Sequence, residues 1–326
     1  MNNQIIEPLD HNEYPIITTY CEDLTSKQYV TNPAIAREDE IKKTMLVLLT
    51  PDKSALLTGK AGIGKTAIVE GIAYLIQKNE VPNALKGYRI VKINTSSLKG
   101  TMTVNGKEES VVNLLVAELK RAPKTILFLD EVHTLIGGSQ DGPMDLANIL
   151  KPALDRGDIK AIGATTTIEY ETYIVKDRAF LRRFDRIDVA EPTEEATVQI
   201  LLGTIPKIEY KTGIKMQPNH YLTTLLMESI VSATSEFKRV YGLSAMYPDV
   251  SLSVLSGAFS NALYENRPEV DIIDVYMAIR NSKRIYPDSR VKECKAFREK
   301  FKRICEERQI VLPDVRLEDI DEGNDL

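Results

Sequence analysis

Residues 54–77 read SALLTGKAGIGKTAIVEGIAYLIQ, and the fold turns on how this stretch is read. SALLT is a short apolar run of the kind a buried strand shows. Gly59–Thr66 then matches GxxxxGK[ST]. Beyond it Ile68, Val69, Ile72, Ala73, Leu75 and Ile76 recur at spacings of three and four, which predicts a helix with one buried face. A strand, a glycine-rich turn and a helix in that order form a phosphate cradle, because backbone N–H groups at a helix start converge on anionic oxygens. The predicted cradle comprises Gly59, Lys60, Ala61, Gly62, Ile63, Gly64, Lys65, Thr66 and Ala67. Lys65 has the reach for β and γ phosphates, and the Thr66 hydroxyl has the chemistry of a Mg²⁺ ligand.

Three later segments repeat the pattern of an apolar strand with a polar tip. TILFLDEVHT, residues 125–134, ends in two carboxylates. Asp130 suits the Mg²⁺ hydration shell, and Glu131 suits polarisation of an attacking water. IKAIGATT, residues 159–166, places Thr166 where a side chain could sense a γ phosphate. AFLRRFDRIDV, residues 179–189, sets Arg182 and Arg183 before another short strand. Guanidinium forks suit phosphate because they donate paired hydrogen bonds and stay charged. His133 has no second ligand spaced around it and reads as structural; His11 and His220 carry no signal.

The rest of the composition narrows the class. The chain has 326 residues, 43% hydrophobic and 27% charged, enough to bury a core in a large domain plus a smaller one. Three cysteines without CxxC spacing argue against a disulfide framework or a zinc site. A net charge of −5 does not fit a chain built to coat DNA or an anionic membrane. No apolar run reaches the roughly 18 residues that span a bilayer, and the N-terminus lacks a secretion-signal pattern, so a cytoplasmic location without membrane contact is expected.

Taken together, GKTAIVEGIA, ILFLDEVHTLIG, MDLANILKPALDRGDIKAIGATT and EYETYIVKDRAFLRRF resemble the AAA+ ATPases, and more narrowly the first ATPase module of the Clp unfoldases and disaggregases. The likeness covers most of residues 32–192 and extends through YPDVSLSVL, 247–255, to about residue 265. It implies an α/β P-loop NTPase fold: a five-stranded parallel sheet of order 5-1-4-3-2 flanked by helices, then a small helical lid. It also implies ATP and Mg²⁺ as cofactors and a homo-oligomeric ring, usually hexameric, with each nucleotide between neighbours. On this resemblance Lys65 and Thr66 bind phosphate and metal, Asp130 holds Mg²⁺, Glu131 orients water and Thr166 senses. Arg182 and Arg183 act as fingers in trans. TNPAIARED, 31–39, is similar to the segment that packs on adenine, pointing to Ile35.

The chain also departs from that family. A threading loop with an aromatic residue is expected before the helix KEESVVNLLVAEL, yet Val104 stands at the aromatic position, leaving Met102 and Val104 as the substrate-loop candidates. An aliphatic grip offers less contact area than an aromatic one. The second loop, residues 137–145, keeps its spacing. No IGF or IGL tripeptide is evident, since YGL at 241–243 lies in the lid, so the Clp peptidase is not an expected partner.

The expected divisions are an extension over 1–30, a nucleotide-binding domain over 31–192, a helical lid over 193–290, and a helix with an acidic tail over 291–326. Thr193 reads as an N-cap followed by Glu194 and Glu195, which places the main boundary near Pro192. In the last helix Val291, Cys294, Phe297, Phe301 and Ile304 share one face. The leading functional expectation is an ATP-driven remodeller of protein clients, with or without an adaptor. The alternative is an AAA+ ATPase acting in DNA replication or transposition, where the basic C-terminal helix would touch nucleic acid.

Overall fold

The computed structural model describes residues 6–93, 101–104, 107–135, 149–150, 152–154, 156–240 and 246–316. The second loop at 137–145, the YGL tripeptide and the acidic tail from 318 lie outside the described residues, as does the side chain of Val104. By internal contacts the chain divides into two compact units: residues 1–60 with 64–190, and 61–63 with 191–326.

The first unit is built on a six-stranded sheet. Its strands are β1 (Cys21–Asp23), β2 (Ser54–Thr58), β3 (Arg89–Ile93), β6 (Thr125–Leu129), β7 (Lys160–Thr165) and β8 (Phe184–Asp188). A separate antiparallel hairpin joins β4 (Thr101–Val104) to β5 (Lys107–Ser110). The sheet runs β1-β3-β6-β7-β2-β8, and every pairing except β1 with β3 is parallel. Counting only the five parallel strands in chain order, the arrangement is 5-1-4-3-2, as the resemblance implies.

SALLT reads as a near-continuous apolar run because β2 is internal and all five of its residues are buried. Helix Lys65–Gln77 buries Ile68, Val69, Ile72, Ala73 and Ile76. Elsewhere in the unit, helix Val111–Arg121 packs Val112, Leu115 and Leu119 into a cluster with Leu56, Val91, Leu127 and Leu129 of the sheet. Parallel pairing brings the C-terminal ends of β2, β6 and β7 to one edge of the sheet, where ligands of open α/β sheets bind.

The chain before residue 30 differs from a loose extension. Helix Pro15–Tyr20 and β1 lie against the sheet, with Cys21 opposite Ile93, Glu22 opposite Lys92 and Asp23 opposite Val91. Buried Glu118 accepts hydrogen bonds from the backbone N–H groups of Ile16 and Ile17, supplying the cap that the helix start lacks locally. Arg89 pairs with Asp23 at 3.2 Å. A three-residue strand with two acids carries no local β signal; distant partners hold it.

The second unit is helical, with helices Glu194–Thr212, His220–Ala233, Asp249–Tyr264, Ile272–Arg280 and Pro287–Arg308 among its described residues. A two-stranded parallel pair, Lys215–Met216 with Glu269–Val270, joins them. Thr193 does cap the first helix, its hydroxyl accepting from Ala196 N at 3.2 Å. The last helix is not a separate appendage. Cys294, Phe297, Phe301 and Cys305 enter the same core as Leu226, Leu255 and Tyr276, with Val291 and Ile304 packed at its margin. All three cysteines are free thiols.

Candidate functional site

The loop after β2 takes a shape that side chains resist. Gly62 and Gly64 have φ of +76° and +97°, in the left-handed region that glycine enters without steric penalty. The Lys65 ammonium is held over this loop by the carbonyl oxygens of Gly59 and Lys60, both at 2.8 Å. Burial pulls its pKa below the ordinary lysine value, against the opposing pull of Glu169 and Asp130.

Asp130 follows β6 directly, and its Oδ2 accepts from the Thr66 hydroxyl at 3.4 Å and from Lys92 Nζ at 2.8 Å. Hydroxyl and carboxylate oxygens converging in this way are hard donors of the kind Mg²⁺ takes. Glu131, next in the chain, has φ of +53° and an exposed side chain. The structure thus brings Lys65, Thr66 and Asp130 together, with Glu131 on the adjoining turn.

At the end of β7 two threonines take different parts. Thr165 is buried and donates to Glu169 Oε2 at 3.0 Å; its hydroxyl also lies 3.2 Å from His133 Nδ1. Thr166 caps a short helical turn: its hydroxyl accepts from Glu169 N at 3.2 Å, and Glu169 Oε2 accepts from Thr166 N at 2.8 Å. Burial pushes the Glu169 carboxyl up, but the N–H and hydroxyl of Thr166 and the hydroxyl of Thr165 outweigh it and leave the pKa below normal. His133 lies 3.1 Å from Glu169 and stacks on Tyr173. It therefore ties the turn after Asp130 and Glu131 to the turn that begins at Thr166.

Arg182 and Arg183 end helix Arg178–Arg183, whose start Asp177 caps through Phe180 N. Arg182 is exposed, Arg183 half-buried, and among the described residues neither forms an ion pair. Arg186, two residues into β8, bonds Thr58, Asp188 and Glu171 instead. Ile35 is half-buried in a turn beside Ala34, against which helix Lys65–Gln77 packs at Gly71. Met102 is 38% exposed on the β4–β5 hairpin, with Tyr20 Oη 3.9 Å from its sulfur.

Residues 55–191 match the family described as "ATPase family associated with various cellular activities (AAA)". The chain carries a Clp-type AAA module. It is 36% identical over 264 residues to the ATP-dependent Clp protease ATP-binding subunit ClpC of Staphylococcus saprophyticus, covering 80% of this chain and 31% of that protein. It is 40% identical over 235 residues to the chaperone protein ClpB of Aquifex aeolicus, covering 72% of this chain and 22% of that one. The module thus spans less than a third of the length of these curated relatives. Among solved structures it resembles a closed-state cryo-EM reconstruction of Hsp104 with ATPγS and FITC casein, at TM-score 0.68, 32% identity, and coverage of 81% of this chain and 44% of that chain. It also resembles the S. cerevisiae Hsp104–ADP complex at TM-score 0.65 and 34% identity, covering 80% and 44%.

Three residues of the module's site were not singled out by sequence reasoning. Lys92 interrupts the otherwise apolar centre of β3, RIVKI, a signal visible in the sequence. Glu169 completes T-x-x-E with Thr166, the capping-box pattern. Thr165 looks like any strand residue, and only its partners distinguish it. Among the described residues no helix is long and apolar enough to cross a membrane.

Proposed function

We propose that this module binds Mg²⁺-ATP at the sheet edge and hydrolyses it to ADP and phosphate, as one subunit of a homo-oligomeric, hexameric ring that remodels protein clients in the cytoplasm. The observation that carries the reading is the meeting of the Thr66 hydroxyl with Asp130 beside a lysine held over a glycine-rich loop. Lys65 holds the β and γ phosphates, with Glu169 and Asp130 opposing the effect of its burial. Thr66 and Asp130 hold Mg²⁺, which supplies neutralisation of the phosphate charge. Glu131 orients the attacking water and accepts its proton. Thr166 reports the γ phosphate, Ile35 lines the adenine side, and Arg182 with Arg183 completes a neighbour's site. Met102 and Val104, on the hairpin before helix Val111–Arg121, are the residues offered to a client.

Relatives support the protein-remodelling reading: ClpB is named a chaperone, and Hsp104 has been solved with casein. The test is a pair of variants. Lys65→Ala should abolish nucleotide binding in equilibrium titration. Glu131→Gln should bind ATP normally while turnover drops about a hundredfold or more. Turnover by Glu131→Gln at the parental rate would remove the water-orienting role. Unfolded protein, rather than single-stranded DNA, should stimulate the parental rate.

A further inference from the structure

The Lys92–Asp130 pair has no part in the chemistry above, yet it involves the same oxygen. Lys92 Nζ donates to Asp130 Oδ2 at 2.8 Å, and the Thr66 hydroxyl reaches that same Oδ2 at 3.4 Å. The pair is neither deeply buried nor free in water: the two side chains are 29% and 31% exposed. Lys92 stands opposite Phe128 in the parallel β3–β6 register, with its ammonium 5.4 Å from the centre of the Phe128 ring. Asp130 is two residues beyond Phe128, within the ammonium's reach.

We infer that Lys92 is a tethered cation that competes with the divalent metal for Asp130 and so sets how much metal the nucleotide site needs. The inference rests on the proposed nucleotide site. A carboxylate oxygen bonded to an ammonium has lost part of its negative potential, and a second cation drawn to it meets repulsion at short range. For Asp130 to serve a divalent cation fully, the ammonium must turn aside. A place exists for it: Glu22 stands directly opposite Lys92 in the antiparallel β1–β3 register, where facing side chains are within reach of each other. Glu22 is held by Lys27 at 3.3 Å and retains acceptor capacity, so the displaced charge stays compensated. Lys92 is thus a positioning residue, acting through Asp130 rather than on the reacting atoms.

The test measures metal occupancy rather than turnover. Mn²⁺ is titrated into the full chain with adenylyl imidodiphosphate present, and free Mn²⁺ is followed by electron paramagnetic resonance. Lys92→Met keeps the apolar stem and removes the charge; it should reach half-saturation at about two- to fivefold lower Mn²⁺ than the parent. Lys92→Arg restores the cation and should return the midpoint toward the parent. In an Asp130→Asn background, the Lys92→Met shift should vanish. An unchanged or raised midpoint for Lys92→Met would overturn the inference while leaving the nucleotide site standing. Failure of the parent to retain any Mn²⁺ with the nucleotide would overturn both.

Discussion

Glu169 links three polar groups at the end of β7: the backbone N–H of Thr166, the Thr165 hydroxyl and His133. Its carboxyl titrates below the ordinary 4.5, so the folded state favours the ionised form. Its contribution to stability is therefore complete above 4.5 and is lost as pH falls through the lower folded value. Glu169→Gln keeps an acceptor for Thr166 N–H but loses the charge at the helix start, so it should cost about 0.3–1 kcal/mol near neutrality. Its melting temperature should converge on the parent's as pH is lowered progressively below 4.5. Parallel melting curves across that range would show that the carboxylate is not the stabilising form. The T-x-x-E spacing of Thr166 and Glu169 carries a capping signal, although the sequence reading assigned Thr166 only a sensing role and passed over Glu169. The His133 link was not, because it joins residues far apart in the chain that meet only when β6 and β7 lie side by side.

Helix Lys65–Gln77 illustrates a conflict between local preference and packing. Gly71 sits mid-helix, where alanine is favoured by about 1 kcal/mol on propensity alone. A Cβ there would lie 2.3 Å from Ala34 Cβ, and both atoms are fixed by backbone. The overlap outweighs propensity: Gly71→Ala should destabilise the module by about 1–3 kcal/mol in urea denaturation. It should also weaken nucleotide binding, since the displaced turn carries Ile35. Ala34→Gly in the same chain should recover most of the loss; failure to do so would place the strain elsewhere. The edge strand β1 is the complementary case, an element with no local signal. The ladder to β3 and the Arg89–Asp23 ion pair hold it, while Glu118 caps the helix just before it, and all these contacts span tens of residues of sequence or more.

The proposed ring makes each site depend on two chains. Arg182 and Arg183, the proposed fingers, lie at the end of helix Arg178–Arg183, Arg182 exposed and Arg183 half-buried. An arginine supplied in trans is worth about 10³–10⁵ in rate. The double substitution Arg182→Ala with Arg183→Ala should spare ATP binding and lower turnover steeply. Mixing it with Lys65→Ala chains should restore measurable hydrolysis, because mixed rings pair an intact cradle with an intact arginine donor. Turnover no higher than the sum of the two separate proteins would argue against sharing. Local sequence sufficed for the glycine-rich turn after β2, the acidic tip of β6, the parallel α/β class and the helix start capped by Thr193. Each is written in short stretches whose spacing reflects local geometry: a turn that needs glycine, a strand of fully buried residues, a cap one turn from its helix. Tertiary structure alone decided that the first thirty residues add an edge strand, that the last helix belongs to the second unit's core, and that Lys92 faces Asp130. Those outcomes depend on which strands and helices become neighbours, and that is settled by non-local pairing and burial.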